Sequence, residues 1–305
     1  MEDLFQIVGI QNKDNERIAA PRYSYWRSVF RRFFSSKVAI IMLAIIIVVI
    51  IMSIIHPLIS GYNHDFVPHI NDRSYHYLKP SLEHLFGTDN VGRDMFGALW
   101  TGTRNSLFIA FSATLITVTI GVIVGAFWGY SKKMDIIMIE LYNIIANIPF
   151  TLLVIILMYI LGPGIRQLIF SLSVTSWLGV AYFIRVQVMI IRDREYNLAS
   201  RCLGTPISKV IIHNILPFLI SVIVTTVSRD IPAFISYEVF LSYLGIGLDV
   251  KTPSLGVMIQ NYASVLNSVP HLFWLPVFVG ALISVSLYIV GQTLADASDP
   301  RTHMI

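Results

Sequence analysis

Ionisable side chains inside long apolar runs are where chemistry could reside in this chain. Arg229, Asp230 and Glu238 fall within or at the end of one such run. A charge at bilayer depth costs roughly 3 kcal/mol, so each must face protein or a water-filled path. Two readings stay open: Arg229 pairs with a carboxylate and locks helices, or the three groups line a hydrated translocation route. Glu140 shares this ambiguity, although it lies close to the end of its run and can sit at the interface. His56, His64, His69, His76 and His84 raise the question of a metal. Their spacing matches no compact zinc pattern such as HExxH, and no cysteine accompanies them, so no metal site is expected. An intramembrane hydrolase would need a Ser–His or paired-Asp constellation. Ser112 and Ser284 lie in apolar runs, but no histidine lies deep, and His56 sits near one end. An ion-driven transporter would use Arg229, Asp230 and Glu238 as a relay and would work without ATP. No GxxxxGK[ST] stretch occurs, so ATP binding of the P-loop kind is excluded.

A second stretch is polar where its neighbours are apolar: Glu195 to Pro217. It reads as a short surface helix, a break at Gly204-Thr205-Pro206, and a second helix running into the bilayer. Glu195, Leu198, Ala199 and Cys202 share one helix face. Ala199 and Ser200 are small enough for close packing against a partner surface. Gly204 permits a turn that other residues resist, and Pro206 can open the following helix. Ile207, Val210, Ile211 and Ile215 give that helix an apolar stripe, and Pro217 falls near the first turn of the next span. Helix-to-helix connections in bundles usually run to about 8 residues. A longer loop with helices of its own suits docking by something that must push on it.

These elements belong to a membrane protein. The 305 residues are 55% hydrophobic and 13% charged, against about 25% charged in soluble domains. Mean hydropathy is +0.69. The net charge of +4 reflects basic residues beside apolar runs, which set topology, so nucleic-acid binding is not implied. The first 25 residues are polar and do not read as a cleavable signal. One cysteine, Cys202, rules out an intrachain disulfide.

About 20 apolar residues cross a bilayer. Six spans are expected: Val38–Ile59, Ser106–Tyr130, Ile136–Leu161, Gln167–Val188, Pro217–Tyr237 and Leu272–Ala295. Pro149 should kink the third, as a packing bend or a gating hinge. Gly121, Gly125 and Gly129 form a small-residue ridge for another helix, in this chain or another. Arg27, Arg31, Arg32, Lys37, Lys132, Lys133, Arg185, Arg192, Arg194, Arg201, Lys209 and Arg301 fall on one side of the membrane. Arg73, Lys79, Arg93, Arg104, Arg166 and Lys251 fall on the other, a set half as large. Lys and Arg favour the cytoplasm, so both termini and the 189–216 loop are expected there, with segment 60–104 outside.

At Ala199-Ser200, Gly204 and Leu216-Pro217 the chain resembles the A-A-x3-G-x9-I-x-L-P pattern of permease subunits of ABC importers. Ser200 replaces the second alanine and Asn214 the isoleucine. Three further stretches narrow the resemblance. His84-Leu-Phe-Gly87-Thr88-Asp89-Asn-Val-Gly92-Arg93-Asp94, followed by Gly102-Thr-Arg104-Asn-Ser106-Leu107, is similar to the GTDxxGRD…GxRxSL signature of peptide and nickel importer permeases. Glu238-Val-Phe-Leu241-Ser242-Tyr243-Leu244-Gly245-Ile-Gly247 resembles their ExxLSFLGLG stretch, and Asp296-Ala-Ser-Asp299-Pro300-Arg301 their DxxDPR tail. EYNLAS and ADASDPR look like the C-type oligopeptide permease subunits of Gram-positive bacteria.

The resemblance implies an all-α polytopic permease of the ABC type I importer fold. Residues 1–37 would form a cytoplasmic segment, 38–59 the first span, and 60–104 an extracellular cap. Residues 105–295 would be a five-span core with the 189–216 coupling loop, and 296–305 a cytoplasmic tail. Glu195, Leu198, Ala199, Ser200, Arg201, Gly204, Thr205, Leu216 and Pro217 would dock on an ATPase. Gly87, Thr88, Asp89, Gly92, Arg93, Asp94 and Arg104 would face the solute-binding protein. Implied partners are a homologous second permease, two ABC ATPases that bind ATP and Mg, and an extracellular peptide-binding lipoprotein. The chain itself would hold no cofactor and perform no catalysis. Oligopeptides are the expected cargo, with dipeptides or a nickel chelate as the alternative.

Overall fold

The computed structural model describes residues 25–67 and 70–298. Met1–Ala20, His69 and Asp299-Pro300-Arg301 lie outside the described residues.

Among the described residues, five helices are long and apolar enough to cross a membrane, and a bent pair supplies a sixth crossing if counted as one span. In chain order, helix α1 is Tyr25–Phe33, α2 Lys37–Ile59 and α3 Met95–Tyr130. Helices α4, Lys132–Ala146, and α5, Phe150–Leu161, form the bent pair. Helix α6 is Ile165–Arg192, and α7 is Glu195–Cys202. A short α8, Ile207–Val210, leads through a π-helical stretch, Ile211–Ile215, and a 3-10 turn, Leu216–Leu219, into α9, Ile220–Tyr243. Helices α10, Leu255–Ala263, and α11, Pro270–Ser298, complete the described residues.

The expected third span differs most. Its two halves meet at 82°, far beyond a proline kink. Pro149 has no N–H to donate, and the residue before a proline is pushed away from helical geometry. Helix α4 therefore ends at its cap Asn147, and α5 restarts after Pro149 with no side-chain cap. Helix α3 also differs, starting at Met95 rather than Ser106. Asp94 caps it, accepting the Gly97 N–H at 2.8 Å. At 36 residues it is about 54 Å long, more than a hydrocarbon core requires.

The glycine ridge of α3 packs within this chain, against α6. A Cβ on Gly121 would lie 2.6 Å from Val180, one on Gly125 2.4 Å from the Ala181 carbonyl, and one on Gly129 2.6 Å from the Arg185 carbonyl. Without side chains the two backbones approach closely, as small-residue faces allow.

The bundle has two distinct ends. At one, the 60–94 loop joins α10 through Asp89 and Tyr262, and His271 at the start of α11 lies beside Gly87. At the other, Val29 and Phe33 of α1 pack with Ala39 of α2 and Ala297 of α11. Arg201 of α7 sits over the Tyr130 ring at the end of α3, at 5.9 Å, so α7 shares that second end.

Candidate functional site: an exposed elbow at one end and a buried carboxylate clasp near the other

Helix α7 is held from beneath and bare above. Asn197 is fully buried and donates from Nδ2 to the Ile191 carbonyl at 3.0 Å, tying α7 to the end of α6. Its Oδ1 has no partner among the described residues. Arg201 reaches Asp193 at 3.5 Å. Glu195, Leu198, Ala199 and Cys202, the face read from the sequence, are all exposed. Leu203 is 86% exposed, a bare leucine at the tip of the elbow.

Gly204 makes the turn with φ +76°. This left-handed conformation disfavours residues with a Cβ. Space is not the constraint, since nothing lies within 4 Å of where that Cβ would be. Pro206 then precedes α8. The apolar stripe turns inward at Val210, Ile211 and Ile215, which pack with Ala126, Ile184 and Val188 of α3 and α6. Ile207, from the same stripe, remains exposed because it lies before the helix meets the bundle. Pro217 lies at the start of the 3-10 turn inside the continuous run Ile207–Tyr243, where its missing N–H interrupts the helical ladder.

The two departures from the family pattern touch each other. Asn214 Nδ2 donates to Ser200 Oγ at 3.1 Å, and Ser200 donates onward to the Tyr196 carbonyl at 2.9 Å. Tyr196 in turn meets Phe218, ring centroids 5.9 Å apart. These contacts tie α7 to the segment that enters α9. Asn214 sits in the π-helical stretch, a geometry frequent at functional sites.

Glu238 is fully buried and does what was open for Arg229: it locks helices. Its Oε2 accepts from Ser106 of α3 at 2.7 Å. Its Oε1 accepts from Ser254 at 2.7 Å and from Ser242 at 3.1 Å. Ser106 also accepts the Leu255 N–H at 3.1 Å, and Ser254 caps α10. Three hydroxyls thus satisfy one buried carboxylate, the condition for keeping it in the interior. Helices α3, α9 and α10 converge there.

Arg229 instead pairs with its neighbour Asp230 at 3.4 Å on the same helix, its side chain 62% exposed. Both line a cavity of about 510 Å³ with Tyr142, Pro149, Phe150, Ser176 and Tyr237. The broken span forms the opposite wall. Glu140 is exposed.

The GTDxxGRD stretch is a self-bonded knot. Gly87 and Gly92 take φ +75° and +82°, and a Cβ on Gly87 would lie 2.3 Å from the Leu78 carbonyl. Thr88 is buried, donates to the Tyr75 carbonyl at 2.6 Å and accepts from Leu78 N–H. Asp89 accepts from Val91 N–H, Arg93 N–H and the Tyr262 hydroxyl. The Arg93 guanidinium lies 3.6 Å from the same carboxylate. Burial raises the Tyr262 hydroxyl pKa well above its ordinary value, with nearby Asp89 adding to it. Asp94 accepts from His84 as well as capping α3. Arg104 stands apart, lining a polar cavity with His64, Asp65, Asp249 and Lys251. Among the described residues, no three His, Cys, Asp or Glu could hold a metal ion.

One cluster had no sequence signal beyond its charges. Asp135 of α4 accepts from Arg185 of α6 at 2.5 and 2.9 Å and from Trp128 of α3 at 2.8 Å. The Arg185 guanidinium also covers the Trp128 and Tyr182 rings at 5.4 and 5.5 Å. Only the spatial meeting of three helices reveals it.

A helical bundle of this kind, with an exposed elbow at one end, is the architecture of an ABC importer permease. Residues 117–304 match the family described as binding-protein-dependent transport system inner membrane component, and 24–80 match the N-terminal TM domain of oligopeptide transport permease C. The chain is 49% identical over 302 residues to the oligopeptide transport system permease protein AmiD of Streptococcus pneumoniae, covering 99% of this chain and 98% of that one. It is 35% identical to the dipeptide transport system permease protein DppC of Bacillus subtilis, covering 98% and 93%. It is 33% identical to the oligopeptide transport system permease protein OppC of the same organism, covering 98% and 97%. A solved methionine ABC transporter in inward-facing conformations shares the fold, with TM-score 0.51, 18% identity, and coverage of 66% and 97%. The chain belongs to the family of binding-protein-dependent transport system inner membrane components, as a non-catalytic membrane subunit.

Proposed function

We propose that this chain forms half of the translocation pathway of an ATP-driven oligopeptide importer and receives its power stroke through α7. The observation that carries this reading is the arrangement of α7. Its outer face is bare, and its inner side is bonded to α6 through Asn197 and to the α9 entry through Ser200 and Asn214. A push on such an element passes into two spans. The relatives' names supply the cargo. ATP and Mg would be held by two ATPase subunits, and a homologous permease would complete the pathway. An extracellular binding lipoprotein would deliver peptide to the 60–104 end. Both termini and α7 would lie in the cytoplasm, following the Lys and Arg distribution. The Arg229–Asp230 pair in the cavity beside the broken span would line the hydrated route, with Glu238 as a structural lock. Broad peptide tolerance suits selectivity residing mostly in the binding protein.

The test is ATP-dependent uptake of a labelled pentapeptide into proteoliposomes holding the whole complex, beside Gly204→Asp in this subunit. Uptake in the native complex, lost in the variant although it assembles, is the expected result. Full uptake by Gly204→Asp overturns the role of the elbow. The dipeptide permease relative supports a second reading of the cargo; transport of dipeptides but not pentapeptides in the same assay selects it.

A further inference from the structure

Helix α1 has no role in the transport scheme, yet its three faces are sharply sorted. Val29 and Phe33 are buried, against Ala39 and Ala297 with Leu43, Val290 and Leu294 around them. Next around the helix stand Trp26 and Phe30, with Phe34 one residue past its end, 52 to 53% exposed. Their spacing of four places them in one row. Successive ring centroids are 6.5 Å apart, so the row is continuous. Arg27 and Arg31 form the next row and are exposed. The helix has no acidic residue, and the sequence holds no Asp or Glu between Arg17 and Asp65.

An aromatic row of this size beside water would be unfavourable, and an aqueous protein partner is not needed to cover it. Helix α2, which begins at Lys37, presents Val38 and Ile41 at 54 and 57% exposure just beyond the turn. The exposed aromatic row is thus followed, about four residues after Phe34, by the exposed apolar flank of a helix long enough to cross a membrane. Trp and Phe favour the headgroup boundary, and arginines beside them stay in the headgroup layer.

We propose that α1 is an interfacial anchor that binds anionic lipid headgroups: Trp26, Phe30 and Phe34 enter the acyl boundary while Arg27 and Arg31 hold phosphate. The pattern is one of aromatic insertion plus basic attraction, the two signals that together give stable surface anchoring. Each basic residue near an anionic surface contributes a factor of about five in lipid association. This inference rests on the membrane reading of α2 and is independent of the cargo.

The experiment uses the whole complex in vesicles of phosphatidylcholine or phosphatidylglycerol brominated in the upper acyl chain. The Trp26 signal is the fluorescence difference between the native complex and Trp26→Phe. The expected result is quenching of that signal by both lipids, with brominated phosphatidylglycerol effective at several-fold lower mole fraction. In Arg27→Gln/Arg31→Gln the two lipids should become nearly equivalent. Equal potency of the two lipids in the native complex overturns headgroup selection. Quenching of Trp26 by aqueous iodide but not by lipid overturns the anchor. Shielding from both shows that a protein subunit covers the row and also overturns it. The native-complex arm stands alone if the double variant fails to assemble.

Discussion

Ser106 and Glu238, 132 residues apart in the chain, share a buried hydrogen bond of 2.7 Å. They belong to two separate signature stretches, GxRxSL and ExxLSFLGLG, which therefore meet at one carboxylate. Ser242 and Ser254 close the group from α9 and from the cap of α10. The bond explains why a carboxyl group is buried near the end of an apolar helix: it joins three helices where apolar packing alone would leave register free.

Removing one member should be asymmetric. Glu238→Leu deletes the shared acceptor and orphans three hydroxyls, while Ser106→Ala leaves a buried carboxylate short of one donor. Each buried hydroxyl left without its acceptor costs about 1–3 kcal/mol, so three of them outweigh the single hydrogen bond to a carboxylate, about 1.5–3 kcal/mol, that Ser106→Ala removes. Glu238→Leu should abolish assembly of the complex, and Ser106→Ala should lower its thermal midpoint by several degrees. The check is size-exclusion profile and thermal melting of the purified complex. Native melting in Glu238→Leu would deny the clasp its structural role.

Glycines in this chain should divide by what surrounds them. Gly125→Ala places a methyl 2.4 Å from the Ala181 carbonyl, and Gly179→Ala meets nothing within 4 Å. Gly125→Ala should sharply reduce folded protein because backbone cannot yield as a side-chain tip can. Gly179→Ala should be neutral or slightly stabilising. Expression and melting of the two variants side by side decide it.

The Asn214–Ser200 contact is testable by its coupling. Asn214→Ala and Ser200→Ala should each raise ATP hydrolysis relative to peptide uptake, because α7 is then less firmly tied to the α9 entry. The double-mutant interaction should be about 1 kcal/mol. Ser200→Ala combined with Asn214→Ile, the residues of the family pattern, should restore the native ratio through an apolar contact. Additive effects would mean that the pair carries no signal.

The 60–94 loop should loosen in acid. Burial, reinforced by the Arg93 charge, holds the His64 pKa below its ordinary value of 6.5, and its Nδ1 lies 3.1 Å from the Tyr62 hydroxyl. The unfolded loop therefore takes up a proton before the folded loop does. The stabilising contribution is full above the ordinary value and is lost as pH falls from it toward the folded value. Limited proteolysis of the loop should accelerate between neutral pH and about pH 5. His64→Gln should flatten that dependence.

Segments of the chain differ in how much of their structure local chemistry dictates. Five of the six apolar runs lie in single helices long enough to cross, and these crossings, the polar elbow and its glycine turn follow from composition and spacing alone. The family signatures follow equally, being contiguous strings. Local order does not set how strongly Pro149 acts; the two halves each pack on α6, and they meet at 82°. Nor does it disclose that Gly125 faces Ala181, that Asp135 meets Arg185, or that Asn214 meets Ser200. It left Arg229 and Glu238 equivalent, two charges in one apolar run. Packing separated them, because only at Glu238 do hydroxyls from two other parts of the chain converge, while Arg229 turns to a cavity and pairs with its neighbour. Pairings of this kind depend on which helix faces meet, a property of the folded bundle that no single segment carries.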